Sequence, residues 1–380
     1  MKKTNAIKFN KNGRLVIMQV SDAQDMVHVR RAMTHMLDKA YDCIKPDLVL
    51  FTGDNILGNH LLDARIGTRK VADGWYATYE RLVKSLEHIL VPCEKRGIPF
   101  AMIYGNHDDV NAVTKEEHIG IFRRYENCLP MNTDNPEVDC DTYNIPVLSS
   151  DGKKTVFNLW MLDSAWHDKE TGRSYCEIKP QTTEWFKKTS EELRFANGGE
   201  SVPSLMFMHV PIKQQYGLLK KCEAETPGAI KDGDGGYVCL DNEKAVGVLG
   251  EMPCVCDDDA GLFDAVKQDG SVLALVGGHD HLNSFDGVYD GVRFIQTPCA
   301  SFRCYGSRER GVRLFVLDEN NPAEFETQVF TYDMICGKKP SSELRYFRDA
   351  DEKVKERIAV IAAGAAAIAA AGIKAAIKKK

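Results

Sequence analysis

Two histidines one residue apart lie in Val276-Gly277-Gly278-His279-Asp280-His281-Leu282-Asn283, directly after the apolar run at 272–276. An apolar run ending in paired glycines and then two imidazoles reads as a buried strand delivering donor groups into a cleft. Taken alone, a polar loop with neighbouring histidines fits equally well. Clusters elsewhere decide between the two. Ser21-Asp22-Ala23-Gln24-Asp25, Gly53-Asp54-Asn55, Gly105-Asn106-His107-Asp108-Asp109 and His209-Val210-Pro211 each follow a short apolar run. Together these run ends carry Asp22, Gln24, Asp54, Asn106, His107, His209, His279 and His281. Carboxylate, imidazole and amide donors suit Mn²⁺, Zn²⁺ or iron better than copper or an iron–sulfur cluster. One ion needs only three or four of these groups, so the surplus, with Asp54 central, points to two ions sharing a carboxylate. Two ions about 3.5–4 Å apart can activate a bridging water and hold both oxygens of an in-line phosphoryl displacement.

The elements that must position these groups can be read from periodicity. Residues 14–20 and 47–52 are short, mainly apolar runs, as expected of buried strands, and 99–104 is a third. Between the first two, Met33, Met36, Leu37, Ala40, Tyr41 and Ile44 make one apolar helix face that Pro46 closes. A second helix is predicted over 75–95, with Gly97 as its stop. This βαβαβ order predicts parallel strands with right-handed crossovers, so the polar clusters fall on the one sheet edge where open α/β sheets bind ligands. Farther on, 154–162 and 204–208 read as strands and 182–193 as an amphipathic helix. Residues 292–297, 311–317 and 324–332 are expected to be antiparallel strands completing a second sheet. The irregular stretch 213–259, directly after His209, predicts a wall of the site rather than a linker.

Composition narrows the function classes. The 380 residues are 43% hydrophobic and 27% charged with a net charge of -6, so no basic field for nucleic acid dominates. No apolar signal core follows Met1-Lys2-Lys3-Thr4-Asn5. The twelve cysteines are scattered, and Cys254-Val255-Cys256 lacks the C-x-x-C spacing of a zinc ribbon. Reduced thiols and a cytoplasmic location are the expectation.

Asp22-x-Gln24, Gly53-Asp54-Asn55, Gly105-Asn106-His107-Asp108, His209 and Gly278-His279-x-His281 resemble, in order, the five motif blocks of the calcineurin-like metallophosphoesterases. The resemblance spans residues 15–317, and the flanking text is most similar to the purple-acid-phosphatase-29-like branch, here as an Asp-x-Gln variant. It implies an α/β fold, a four-layer sandwich of two mixed β-sheets flanked by α-helices. It implies hydrolysis of a phosphate ester by a metal-bridging hydroxide, without a covalent intermediate. By position, Asp22, Gln24, Asp54 and His281 would surround a first ion; Asp54, Asn106, His209 and His279 would surround a second. His107 would assist the leaving group, with Asp108 orienting it. The substrate is a phosphate-ester small molecule or a phosphorylated substrate, with monoesters placed ahead of nucleotide-like diesters. A catalytically weak metal-binding scaffold is the reading from a different class.

Two departures bear on the ions. Most members carry histidine where this chain has Gln24, and Leu57 stands where a purple phosphatase supplies tyrosine. A glutamine carbonyl is a weaker donor than imidazole for Zn²⁺ or Fe²⁺. The expectation is therefore one tight divalent ion (Mn, Fe or Zn) and one looser, in which Mg²⁺ also fits. His28 is close enough in sequence to be weighed as a substitute. Asn106, His107, Asn283 and Arg303 are the candidate substrate contacts, with Arg308 and Arg310 behind them, because arginine binds phosphate through paired hydrogen bonds. Trp166 and His167 are expected on the rim.

After Tyr332 the composition changes. The chain divides into a catalytic domain at 1–335, a polar linker at 336–357 and an alanine-rich helix with a lysine tail at 358–380. Residues 358–377 make about 30 Å of helix, enough to span a bilayer, though alanine is only weakly apolar. A membrane anchor, an interfacial helix and an exposed association helix all fit this run.

Overall fold

The computed structural model describes residues 6–58, 74–108, 111–131, 135–165, 176–350, 359 and 362–364. Trp166, His167 and nearly all of the 358–377 run lie outside them. The first half runs β1 (Arg14–Val20), α1 (Arg31–Ile44), β2 (Leu48–Thr52), α2 (Trp75–Arg96), β3 (Phe100–Ile103), α3 (Lys115–Phe122), β4 (Tyr143–Leu148) and β5 (Thr155–Met161). Next come α4 (Pro180–Ala196) and β6 (Ser204–Phe207), then the small strands β7 (Leu219–Lys221), β8 (Ile230–Lys231), β9 (Tyr237–Leu240) and β10 (Ala245–Val248). The last part holds α5 (Leu262–Asp269), β11 (Val272–Gly277), β12 (Ser284–Tyr289), β13 (Val292–Gln296), β14 (Gly311–Asp318), β15 (Phe325–Thr331), α6 (Tyr332–Cys336) and α7 (Pro340–Asp349).

Two mixed sheets carry the site. One has the order β15-β14-β1-β2-β3 and the other β10-β12-β13-β11-β6-β5-β4. As the crossovers predict, β1, β2 and β3 are parallel, with Ile17 opposite Leu48 and Val49 opposite Phe100. In the second sheet β5, β6, β11 and β13 are parallel. Sheet packs on sheet through residues such as Ile17, Phe207, Val276 and Phe315, the Phe207 and Phe315 rings meeting edge-on at 5.5 Å. Helices α1 and α2 cover the outer face of the first sheet, and α4 and α5 that of the second. The sandwich is the one the resemblance implies. Among the described residues no helix is long and apolar enough to cross a membrane.

Two assignments change. The strands at 311–318 and 325–331 complete the first sheet, not the second: β14 runs antiparallel to β1, Met18 opposite Leu314. A continuous apolar run such as β1 needs partners on both edges for its backbone groups, and β14, nearly all buried, supplies the free one. The stretch read as a polar linker also contains α7. Ser342, Tyr346 and Asp349 form its buried stripe. Asp349 Oδ2 accepts from Ala32 N at 2.7 Å, capping the otherwise uncapped N-terminus of α1. Polarity here serves a helix end rather than solvent.

Candidate metal centre

Each candidate ligand sits just beyond the carboxyl end of a parallel strand: Asp22 and Gln24 after β1, Asp54 after β2, Asn106 and His107 after β3, His209 after β6, His279 and His281 after β11. Backbone bonds hold these ends together. Asp22 N donates to Gly53 O, Gln24 N to Asp54 O, and Gly278 N to His209 O at 3.0 Å. The backbones there are unusual. Asp22, Gln24, Asp54 and His279 all have positive φ, at 52°, 32°, 47° and 70°. Such conformations cost about 1–3 kcal/mol each in non-glycine residues, and they concentrate at functional sites.

The donor atoms converge on Asp54 and Asp22. His209 Nε2 lies 3.4 Å from Asp54 Oδ1 and 3.9 Å from Asp22 Oδ1. His281 Nε2 is 3.4 Å from Asp22 Oδ1. Asp54, His209 and His279 bring their ligand atoms within 4.8 Å of one another. The remaining carboxylate oxygens are oriented by neighbours: Asp22 Oδ2 accepts from Ser21 Oγ and His279 N, and Asp54 Oδ1 accepts from His107 N at 2.9 Å. His209 Nδ1 pairs with Thr52 O and His281 Nδ1 with Tyr305 O, both at 2.9 Å. A carbonyl can only accept, so both rings carry Nδ1–H and present Nε2 to the cavity. That is the support a metal-ligating imidazole requires.

The charges agree. Burial pushes the Asp54 carboxyl upward, but the charge of His209, then of His107 and His279, outweighs it and holds the group below the usual carboxylate range. Burial works against a charge on His209, yet Asp54 and Asp22 raise it to about 10. His279 goes the other way, lowered to about 4 by burial and by His209. The two carboxylates thus hold a positive charge on His209 and burial keeps the neighbouring His279 neutral, the form in which imidazole binds a cation. Buried Asp22 Oδ1, Gln24 Oε1 and His209 Nε2 have no hydrogen-bond partner. Left so, such atoms each forgo about 1–3 kcal/mol. Asp22 Oδ1 and His209 Nε2 fit divalent ions in both chemistry and placement; Gln24 fits in chemistry, but it is its Nε2 that faces Asp54, at 2.7 Å.

The other expectations fare unevenly. His107 lies at the mouth, half-buried, with Nε2 4.0 Å from Asp54 Oδ2. Asp108, expected to orient it, accepts from Gly105 N, Asn55 Nδ2 and Ile56 N, and so braces the loops after β2 and β3. Burial, then Asp54, raises its carboxyl to about 8. Asn283 is fully buried; its Oδ1 accepts from Gly250 N and Glu251 N, and its Nδ2 donates to Asp280. Arg303 is held by Asp25 at 2.6 Å and by the His28 carbonyl. Arg308 pairs with Asp333 and Glu343, and Arg310 is buried among the carbonyls of Ser301, Cys304 and Ser307. Each of these residues thus has protein partners in the fold, with the Arg308 side chain still 48% exposed. His28, weighed as a substitute for Gln24, is exposed, whereas Asp22, Gln24 and His281 are buried. Sequence reasoning missed Ser164, whose Oγ accepts from His209 N and Val210 N, and Tyr305, which carries no motif.

The profile of the calcineurin-like phosphoesterase family matches residues 15–283, more than half of the chain and every ligand-bearing strand end. The chain belongs to that family. It is similar to the probable inactive purple acid phosphatase 29 of Arabidopsis thaliana, 26% identical over 349 residues, covering 83% of this chain and 79% of that protein. The probable inactive purple acid phosphatase 14 of the same plant is 25% identical over 333 residues, covering 79% and 74%. Among solved structures, a dimetal phosphatase from Danio rerio covers 84% of this chain and 99% of its own, with a TM-score of 0.47 at 12% identity.

Proposed function

We propose that this chain hydrolyses phosphate esters with two divalent ions, one held by Asp54, Asn106, His209 and His279, the other by Asp22, Gln24, Asp54 and His281. The observation that carries this is a pair of buried donor atoms without hydrogen-bond partners, Asp22 Oδ1 and His209 Nε2, facing each other beside Asp54. When bound, such ions supply an activated water as nucleophile and positive charge opposite the phosphoryl oxygens. Asp54 stays ionised throughout, since its histidine neighbours hold its proton affinity down. His107, anchored through its backbone to Asp54 and half-buried at the mouth, donates a proton to the departing alcohol oxygen. Manganese, zinc and iron suit this donor set, with magnesium in the Gln24 half. Monoesters are placed ahead of nucleotide-like diesters because residues 250–254 are bonded down onto the histidine turn through Asn283 and Asp280, which supports a confined site.

A second reading, a metal-binding scaffold without turnover, is favoured by Gln24 and by the word inactive in the names of the plant relatives. Purified protein loaded with Mn²⁺ is assayed on an aryl phosphate and its bis-aryl analogue, beside Asp54→Asn. Turnover that Asp54→Asn abolishes supports the hydrolase; equal background in both, with metal bound, supports the scaffold.

The same proposal keeps a membrane contact for residues 358–377 and places the chain in the cytoplasm. In support, α6 and α7 lead into that run while exposing Met334, Leu344 and Phe347 beside Lys338, Lys339 and Arg348. Fractionating the full chain against one ending at Asp351 tests it: equal partition into the soluble fraction excludes the contact.

A further inference from the structure

Tyr305 stands on His281. The two rings stack with centroids 4.3 Å apart and planes 16° from parallel. The Tyr305 carbonyl accepts from His281 Nδ1, so one residue fixes both the plane and the tautomer of the imidazole. The Tyr305 hydroxyl donates to Glu251 Oε2 at 2.9 Å, and Glu251 Oε1 accepts from Leu282 N at 2.8 Å, on the residue that follows the histidine. Glu251 belongs to the 213–259 segment, whose end is stitched to the same turn. Asn283 Oδ1 accepts from Gly250 N and Glu251 N, and Asp280 Oδ1 from Cys254 N. Tyr305 is 42% exposed, so packing a core is not its task.

We propose that Tyr305 and Glu251 are a positioning pair for His281, through which the 213–259 segment sets the affinity of the cation site that His281 shares with Asp22 and Gln24. The inference rests on the two-ion reading above. Its physical basis is the weakness of that half-site. Gln24 offers an amide where imidazole binds these ions better, so His281 is its one nitrogen donor of imidazole type and must arrive already oriented. A free ring would rotate about two side-chain bonds and sample both tautomers. The stack, the carbonyl and the Glu251 brace remove that freedom before the ion binds. The far side of the cavity has no need of the device, because His209 is fully buried and tied to Thr52 O.

Calorimetric titration of the metal-free full chain with Mn²⁺ tests the pair, with the thermal midpoint of each metal-free variant as a check on folding. Wild type shows a tight and a weaker class of site. Tyr305→Ala weakens the weaker class by about tenfold or more, the range typical of residues that orient ligands, and leaves the tight class within about twofold. Tyr305→Phe keeps the stack and carbonyl and gives a smaller loss. Glu251→Ala matches it, and Glu251→Gln, which keeps a contact to both Leu282 N and the tyrosine hydroxyl, restores the wild-type value. Equal weakening of both classes, or none in either, overturns the positioning role while leaving the two-ion reading intact. A wild type that takes up no Mn²⁺ overturns both.

Discussion

Gln24 turns its amide nitrogen toward Asp54: Nε2 donates to Oδ2 at 2.7 Å, while Oε1 is buried with no hydrogen-bond partner. A carboxylate accepts and cannot donate, so facing the amide oxygen toward it would set like dipoles against each other. To serve as a ligand, the amide must rotate and give up a charge-assisted bond of about 1.5–3 kcal/mol. A histidine at this place would ligate through a ring nitrogen, a better donor for these ions than an amide oxygen. Gln24→His is therefore expected to tighten the weaker Mn²⁺ class by about tenfold or more, from that energy difference, with the tight class unchanged. Calorimetry on both proteins reads it directly. An unaltered weaker class would mean that the amide is not what limits the site.

Gly105 is dictated by the same carboxylate. A Cβ placed there collides with Asp54 Oδ1 and its backbone nitrogen, and would lie 2.7 Å from His209 Nε2. Neither neighbour can move without dragging a strand end, since both are buried and bonded on other sides. Gly105→Ala should therefore lower the thermal midpoint and weaken Mn²⁺ binding together. Gly120, inside α3 with open space around it, is the control. There the alanine should stabilise by about 0.5–1 kcal/mol, the ordinary helix-interior gain. Midpoints in the reverse order would show that the loop after β3 is not packed as described.

The site was legible in the sequence because its ligands obey a chain-local rule: each follows an apolar run by two to four positions, whatever the run pairs with. Asp54 or His279 could thus be placed without knowing the sheet order. Sheet membership could not. Nothing in the pattern of 311–317 says whether β14 closes the sheet of β1 or that of β11; the open edge of β1 decides it. The partners of the arginines were hidden for a related reason. Residue type gives Arg303 a capacity for phosphate, but not that Asp25, 278 positions away, pairs with it. Tyr305 had no signal at all, because its effect depends on where one carbonyl and one ring come to rest over His281.

His118 makes a prediction outside the metal centre. It is buried in α3 against Tyr104 at 5.0 Å and Phe122 at 5.7 Å, with Nε2 unpartnered, and burial alone lowers it to about 3. Tyr104 leads directly into Gly105 and Asn106, so this packing underlies the loop that carries His107. In the unfolded chain the imidazole returns to about 6.5, so between these values the unfolded state binds the extra proton. The stability His118 permits is therefore complete above pH about 6.5 and is lost as the pH falls toward 3, by up to several kcal/mol. Replacing it with an uncharged group of similar size, His118→Gln, removes the proton uptake even if it lowers stability at neutral pH. Denaturant unfolding of metal-free protein at a series of pH values from 7 to 4 should give a shallower slope for the variant than for wild type. Parallel slopes would place the acid sensitivity of this region elsewhere.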